Sequence, residues 1–167
     1  MVGFPVLFAC DHISTQGCIA GGDVYASPSL GDFDDDGIME VVTGSENSRL
    51  YLIRADGSHY RGWPVLFDSG SALSHSPPAL GDINNDGRLE ISVPNFSSKK
   101  LYVLNDDATL TKGFPQNLDH SAYGVSLADI DKDGKLEYSL LIYQEEYLDL
   151  IVMVKAYLVG LFIRKLM

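Results

Sequence analysis

Three acidic nonapeptides repeat along this chain, and their oxygen-bearing side chains stand at alternate positions. They run from Asp32 to Glu40, from Asp82 to Glu90 and from Asp129 to Glu137, and each fits the pattern D-x-[DN]-x-D-G-x-x-E. Oxygen ligands at positions 1, 3, 5 and 9 of this pattern converge only if the chain turns sharply, and the glycine at position 6 permits that turn. Such oxygen-rich loops suit a hard divalent cation, so each loop is predicted to bind Ca²⁺.

The EF-hand shares the D-x-D-x-D-G core, but the sequence argues against it. An EF-hand requires a glutamate at loop position 12 and a helix on each side. Position 12 is occupied here by Thr43, Val93 and Leu140, none of which has a carboxylate, and β-forming residues follow. A WD40 propeller is also disfavoured, because no Gly-His or Trp-Asp signature recurs.

The segments around the acidic loops repeat with the loops, and they predict the fold. The first residues of the loops are 50 and 47 positions apart. Small residues precede each loop, and short β-rich segments follow it, separated by turn residues such as Asp56-Gly57. About four short strands in each such period are typical of a propeller blade. The predicted fold is therefore all-β, with about three consecutive four-stranded antiparallel blades of an incomplete β-propeller.

This pattern resembles the FG-GAP/VCBS-type repeat, the blade unit of integrin α-subunit propellers and of many bacterial surface proteins. The resemblance covers residues 27–137. It implies a cation loop between the innermost strand of each blade and the next strand, with the backbone carbonyl of position 7 as a further ligand. The implied ligands are Asp32, Asp34, Asp36, Ile38 and Glu40; Asp82, Asn84, Asp86, Arg88 and Glu90; and Asp129, Asp131, Asp133, Lys135 and Glu137.

Apolar residues at fixed repeat positions are predicted to pack the blades. The large aromatic residues Trp63, Phe114 and Phe4 share one such position and are expected in the blade core. Positions 2 and 8 of the loops are also expected to anchor each loop in its blade core. These anchors are Phe33, Ile83 and Ile130 at position 2, and Met39, Leu89 and Leu136 at position 8.

The charge of the chain is strongly acidic, with a formal net charge of −11. No basic stripe is present to meet phosphates, so nucleic acid is excluded as a partner. The apolar run from Leu150 to Ile163 is interrupted by Lys155 and is too short to span a bilayer, which requires about 20 residues. The second loop carries Asn84 in place of a carboxylate and is therefore expected to be the weakest of the three sites.

The ends of the chain depart from the repeat. Cys10 and Cys18 lie in an N-terminal insertion, where they either close a small disulfide loop or remain as two buried thiols. The C-terminal part of the last unit lacks an Asp-Gly turn. We expect a piece of a longer propeller or, less favoured, chains that assemble to complete one. The expected units are residues 1–26 (last strand of a preceding blade plus the insertion), 27–67 (blade 1), 68–118 (blade 2) and 119–167 (blade 3, degenerate at its C-terminal end).

The function implied by the resemblance is an extracellular or cell-surface module for binding or adhesion, with structural Ca²⁺ and an unknown protein or glycan ligand. The alternative is part of a Ca²⁺-dependent polysaccharide lyase, since similar repeats occur in such enzymes, and a structural spacer is a third possibility. His75 and His120 could form a ligand-binding rim with Tyr25 and Tyr123, although packing or surface roles are commoner for histidine. No nucleophile and base are paired in the sequence, so the chain is not expected to be an enzyme.

Overall fold

The computed structural model describes residues 13–14, 17–18, 24–46, 48–67, 76–144, 147–153 and 163–165. Within these ranges the chain forms fourteen strands and no helix, hence no helix long and apolar enough to cross a membrane. The strands are β1 (Ile13–Ser14), β2 (Gly17–Cys18), β3 (Ser29–Gly31), β4 (Glu40–Gly44), β5 (Arg49–Ile53), β6 (Val65–Leu66), β7 (Ala79–Gly81), β8 (Glu90–Asn95), β9 (Lys100–Leu104), β10 (Gln116–Asn117), β11 (Ala122–Ala128), β12 (Glu137–Gln144), β13 (Tyr147–Met153) and β14 (Ile163–Lys165).

The strands build three four-stranded sheets and one small hairpin. Strands β3 to β6 form the first sheet, β7 to β10 the second and β11 to β14 the third, and β1 pairs with β2. Within every sheet the strands lie in chain order and neighbours are antiparallel. The predicted fold class is confirmed, because the described chain is all-β and is made of consecutive four-stranded antiparallel blades. We call the sheets blade 1, blade 2 and blade 3.

The middle strands of blade 2 are buried on both faces, because this blade lies between the other two. In β9 the side chains alternate between the two sides, as the period of a strand dictates. Tyr102 and Leu104 pack in a core shared with blade 1, whereas Leu101 and Val103 pack in a core shared with blade 3. Strands of this kind read as nearly continuous apolar runs rather than as strict alternation of apolar and polar residues. The two cores between blades hold the fold together.

The aromatic residues predicted to pack the blades lie in these cores where the structure describes them. Trp63 is buried in the core between blades 1 and 2, and its Nε1–H donates to the backbone oxygen of Asp106 at 2.8 Å. Phe114, the equivalent residue of blade 2, packs on the ring of Tyr138 in blade 3, with 5.9 Å between the ring centroids. The prediction is confirmed for these two residues, and Phe4 lies outside the described residues.

A glycine at the end of the innermost strand receives two leucines from the next blade. A Cβ added to Gly31 of blade 1 would lie 2.8 Å from Leu89 Cδ1 and 3.0 Å from Leu80 Cδ1 of blade 2. We call the residue just before each loop the socket, and the two leucines of the following blade the apolar clamp. The same arrangement recurs one blade later, where the socket Gly81 receives Leu136 at 2.6 Å and Leu127 at 3.2 Å from an added Cβ. The blades therefore interlock at fixed repeat positions.

The loop anchors pack as expected where a described blade lies beside them. Leu89 and Leu136 pack against the cores between the blades, and they also reach the socket of the preceding blade. Phe33 and Ile83 are buried as expected, with exposed fractions of 6% and 7%. The prediction is wrong for the first position-8 residue and the last position-2 residue, because no described blade covers them. Met39 is 53% exposed and Ile130 is 51% exposed.

Several expectations concern residues that the structure leaves undescribed. The pairing of Cys10 with Cys18 depends on side chains outside the described residues, as does the role of His75. The same holds for the last strand of a preceding blade near residues 3–5 and for residues 154–160 near the C-terminus. In the described backbone of the C-terminal part, β13 pairs with β12 and with β14, so strand pairing continues beyond the third loop.

We expect Gly81→Ala to lower the free energy of unfolding by about 1–3 kcal/mol, because the new methyl group would overpack the socket against Leu136. Adding Leu136→Met should recover about 0.5 kcal/mol or more, since an unbranched side chain can yield where leucine cannot. Urea unfolding measures both effects. Gly124→Ala is the matched control, because its new Cβ would meet Leu141 Cβ at an ordinary 3.9 Å. Equal losses in Gly81→Ala and Gly124→Ala would contradict the socket.

Candidate metal centre

Each acidic loop connects the first strand of a blade to the second. The loops occupy residues 32–39, 82–89 and 129–136, and the glutamate at position 9 is the first residue of the second strand in every blade. The loops therefore lie at one edge of the blades, opposite the edge that carries the connections from second to third strand. This is the placement that the sequence predicts for them.

The loops share one backbone conformation, which the residue pattern explains. Positions 4 and 6 both have left-handed φ angles, and two such residues close together reverse the chain within the loop. Glycine adopts this conformation without steric cost, and aspartate and asparagine tolerate it better than most residues. The angles are 58° at Asp35, 59° at Asn85 and 62° at Lys132 for position 4, and 83° at Gly37, 87° at Gly87 and 83° at Gly134 for position 6.

The aspartate at position 1 stabilises this turn by accepting two backbone N–H groups. In the first loop, Asp36 N–H donates to Asp32 Oδ1 at 3.2 Å and Gly37 N–H donates to Asp32 Oδ2 at 2.8 Å. The second loop repeats the pair at 3.0 and 2.9 Å, and the third loop at 3.0 and 3.0 Å. The predicted first ligand thus also acts as the residue that closes the turn.

The residue at position 7 donates its N–H to the position-5 aspartate in all three loops. The distances are 2.7 Å from Ile38 to Asp36, 2.9 Å from Arg88 to Asp86 and 3.0 Å from Lys135 to Asp133. This bond fixes the orientation of the position-5 carboxylate. The backbone carbonyls of Ile38, Arg88 and Lys135 as ligands stay a prediction.

The glutamate at position 9 is the only ligand candidate in the described loops that is buried in every blade. Glu40, Glu90 and Glu137 are 2%, 1% and 0% exposed. In each blade one of its oxygens accepts the N–H of position 2, which ties the end of the loop to its beginning. These bonds measure 2.9 Å from Phe33, 2.7 Å from Ile83 and 2.7 Å from Ile130.

Burial and like charge make the ionised form of two of these glutamates costly. Burial raises the pKa of Glu40, and Asp34, Asp36 and Asp32 raise it further, although the N–H of Phe33 opposes the shift. Burial likewise raises the pKa of Glu90. A divalent cation between these carboxylates would reverse the penalty, since it supplies the opposite charge.

The first and third loops bring three carboxylates together. In the first loop the oxygens of Asp32, Asp34 and Asp36 lie within 4.8 Å of one another, and in the third loop those of Asp129, Asp131 and Glu137 do so. Glu137 Oε1 is buried and has no hydrogen-bond partner. Leaving a buried charged oxygen unpaired is costly, so this atom fits a site that receives a cation. Neither Glu40 nor Asp133 belongs to the close group of its loop.

The second loop is closed by an amide instead. Asn84 Nδ2–H donates to Asp86 Oδ2 and to Glu90 Oε1, each at 3.0 Å. Within the described part of the chain, no three carboxylates of this loop approach one another as closely as those of the other two loops. Asn84, predicted as a ligand through its oxygen, thus directs its nitrogen at the other predicted ligands. The amide thus links two of the predicted ligands of this loop to each other.

Beside the first loop lies a cleft of about 510 Å³ between blades 1 and 2, which sequence reasoning missed. Arg54 packs on the ring of Tyr60, 4.3 Å from its centroid, and Arg88 forms a 3.3 Å ion pair with Asp106. Burial raises the pKa of Tyr60, whose hydroxyl donates to the backbone oxygen of Phe33 at 3.3 Å. The lining groups come from separate repeats, so no local sequence signal unites them. They include Arg54, Arg61, Arg88, Tyr60, Asp34 and Asp106.

Consecutive four-stranded blades with an acidic loop after each innermost strand define a repeat protein of the β-propeller class. The chain belongs to the FG-GAP-like repeat family, which matches residues 32–93 and again residues 82–138. The first match covers the first two acidic loops, strands β4 to β7 and the start of β8. The second match covers the second and third loops with the strands between them. No curated protein matches the chain in sequence.

Solved structures agree with this fold at low sequence identity. The chain is similar to the crystal structure of BBS1N in complex with ARL6DN, soaked with mercury, at 14% identity and a TM-score of 0.52, over 78% of this chain and 36% of that one. It is also similar to the same complex soaked with lead, at 12% identity and a TM-score of 0.52, over 89% of this chain and 51% of that one. These neighbours are β-propeller domains, and the chain spans about a third to a half of their length.

Without metal, we expect the protein to become less stable as pH rises towards neutrality from about 4.3, the pKa of an unperturbed glutamate. Glu40 and Glu90 have raised pKa values in the folded state, so the folded protein holds more protons than the unfolded chain in that window. Their stabilising contribution is complete below the unfolded pKa and is lost as pH passes through the folded one. Urea unfolding in EDTA at several pH values measures the slope. Glu40→Gln should flatten it, and an unchanged slope would contradict the assignment.

Proposed function

We propose that this chain is a Ca²⁺-binding propeller module that recognises a protein or a carbohydrate outside the cell. The observation that supports the metal is the third loop, where Glu137 lies close to Asp129 and Asp131 and its buried Oε1 has no hydrogen-bond partner. Carboxylates held this close repel one another strongly unless a cation lies between them. The role of the ion is structural, because it would join the start of the loop to the first residue of the second strand.

Calcium suits these loops better than magnesium. Ca²⁺ accepts six to eight oxygen ligands in flexible geometry, whereas Mg²⁺ demands a near-octahedral shell and keeps several waters. The predicted set of carboxylates and a backbone carbonyl within one short turn matches the first description. Extracellular modules bind Ca²⁺ at about 10⁻⁴–10⁻³ M, which requires a compartment rich in the ion. This is the basis for proposing the cell exterior or cell surface as its location.

The amide of Asn84 leads us to propose that two of the three loops carry Ca²⁺. Its two hydrogen bonds to Asp86 and Glu90 satisfy the carboxylates that a cation would otherwise bridge. The second loop would then keep its shape without metal. The first and third loops, which have close carboxylate groups, would depend on the ion.

We expect Ca²⁺ to raise the thermal midpoint and isothermal titration calorimetry to give two ions per chain. Asp34→Ala and Asp131→Ala should each remove one ion and part of the midpoint shift. Asn84→Asp is the opposite test: it removes the amide donor, so it should lower the midpoint in EDTA and add a third ion in Ca²⁺. If the thermal midpoint of a folded sample did not change with Ca²⁺, the proposal of metal binding would be wrong and the loops would act only as turns.

The recognition surface that we favour is a cluster of aromatic rings at the blade edge opposite the acidic loops. The ring of Phe96, just after β8, packs on the ring of Tyr123 at the start of β11, with 4.7 Å between the ring centroids. The ring of Tyr143, near the end of β12, has its centroid 5.8 Å from that of Tyr123. Tyr123 and Tyr143 are 36% and 41% exposed. Tyrosine presents an apolar face and a polar tip, which suits contact with sugars or with protein surfaces.

The cleft beside the first loop favours a second candidate function, a lyase acting on an acidic polysaccharide. Three arginines could bind the carboxylates of such a chain, and Tyr60 lies beside them. A lyase requires a base to abstract a proton, however, and the raised pKa of the buried Tyr60 keeps its hydroxyl protonated near neutral pH. We therefore propose binding rather than catalysis as the activity of this chain.

The two candidates are separated by testing one panel of immobilised glycans that includes polygalacturonate. We expect binding that Tyr123→Ala weakens about tenfold, in line with the loss of one aromatic contact. Leu110→Ala is the matched control, because this apolar side chain is 47% exposed and lies outside the cluster. New ultraviolet-absorbing unsaturated ends in the polygalacturonate sample, lost in Arg61→Ala, would favour the lyase instead.

A further inference from the structure

The contacts between blades follow one rule at both described interfaces. The clamp of blade 2, Leu80 and Leu89, covers the socket Gly31 of blade 1, and the clamp of blade 3 covers the socket Gly81 of blade 2. In both cases the position-2 residue beside the socket, Phe33 or Ile83, is buried. Each blade thus offers a clamp on one side and a socket on the other.

One clamp and one socket remain exposed when this rule is applied to the described blades. Leu30 and Met39 form the clamp of blade 1, and they are 62% and 53% exposed. Ala128 is the socket of blade 3, and it is exposed together with Ile130. Their counterparts in the two internal interfaces are buried or partly buried. The two exposed surfaces therefore carry the two halves of an interface that the protein already makes twice.

The exposed clamp and the exposed socket each differ from their internal counterparts at one residue, and the two differences fit each other. At the internal interfaces a branched leucine meets a glycine, and an added Cβ would come within 2.8 Å or less of the leucine. At the exposed surfaces the socket has a Cβ, since it is Ala128, and the clamp has an unbranched methionine, Met39. Methionine fills irregular space and adapts its shape more readily than leucine. An unbranched Met39 can therefore make room for the methyl group of Ala128, whereas the branched leucines of the internal clamps pack against a glycine that has no side chain.

We propose that the exposed clamp of one copy binds the exposed socket of a second copy of this chain. The occupant is a second copy because its surface continues the interfaces already present between blades, with the same repeat positions on both sides. Two copies joined in this way at both ends share a two-fold axis, so the same pair of surfaces is used twice. The three four-stranded sheets that the structure describes in each copy would then continue, across both contacts, into those of the other copy.

Sedimentation velocity of the full chain in Ca²⁺ tests the assembly. We expect dimers, and we expect Met39→Asp or Ile130→Asp to raise the dimer Kd about tenfold or more, because each places a charge in an apolar contact. Leu66→Asp is the matched control: it changes a leucine that is 62% exposed on the outer strand β6 and should leave the Kd unchanged. Both test residues are about half exposed in the single chain, so the variants should keep the thermal midpoint of the parent when both are measured as monomers, at concentrations below the dimer Kd.

Cross-linking of mixed chains identifies the surfaces. In a background with Cys10→Ser and Cys18→Ser, one chain carries Met39→Cys and a second chain of different mass carries Ala128→Cys. Oxidation should join unlike chains at least about tenfold more often than like chains, since only the unlike pair brings clamp and socket together. A protein that is monomeric at about 100 μM, or a dimer indifferent to both Asp variants, would overturn the proposal and leave these surfaces to other blades or partners.

Discussion

The bond between the buried glutamate at position 9 and the N–H of position 2 is the constraint on which the rest of the structure depends. It joins the two ends of each acidic loop and also sets where the second strand begins, at Glu40, Glu90 and Glu137. The position-2 residue that donates this N–H is the apolar group that enters the core between blades, as Phe33 and Ile83 show. One carboxylate therefore couples the candidate metal site to the packing of the sheets.

This coupling explains why a charged glutamate is buried at position 9, where an apolar residue would be buried at lower cost. A buried carboxylate is costly unless hydrogen bonds or an opposite charge compensate it. One oxygen of each glutamate is compensated by a backbone N–H. The other oxygen is met by the Asn84 amide in the second loop and by nothing in the third, where Glu137 Oε1 has no partner. The second and third loops belong to the same repeat, but they differ in whether the second oxygen of the buried glutamate has a hydrogen-bond partner.

The sequence was sufficient for the features that depend on local residue types at fixed spacing. The acidic loops, the all-β class, the strand–loop–strand order and the packing of Trp63 and Phe114 all follow from such patterns. Features that depend on the neighbouring blade were not predictable in this way. The exposure of Met39 and Ile130 is decided by what lies beside them, and the arginines of the cleft come together from two repeats. The orientation of the Asn84 amide depends on its hydrogen bonds to neighbouring side chains, which a sequence motif does not specify.

The outermost strands of the first two blades show how the protein limits unwanted pairing of its edges. A free strand edge is a template on which other chains can add strands and aggregate. Strands β6 and β10 contain two residues each, and each follows a proline directly, Pro64 before Val65 and Pro115 before Gln116. Proline has no N–H to offer an incoming strand. A rim this short and this poor in donors offers little template on which another chain could add a strand.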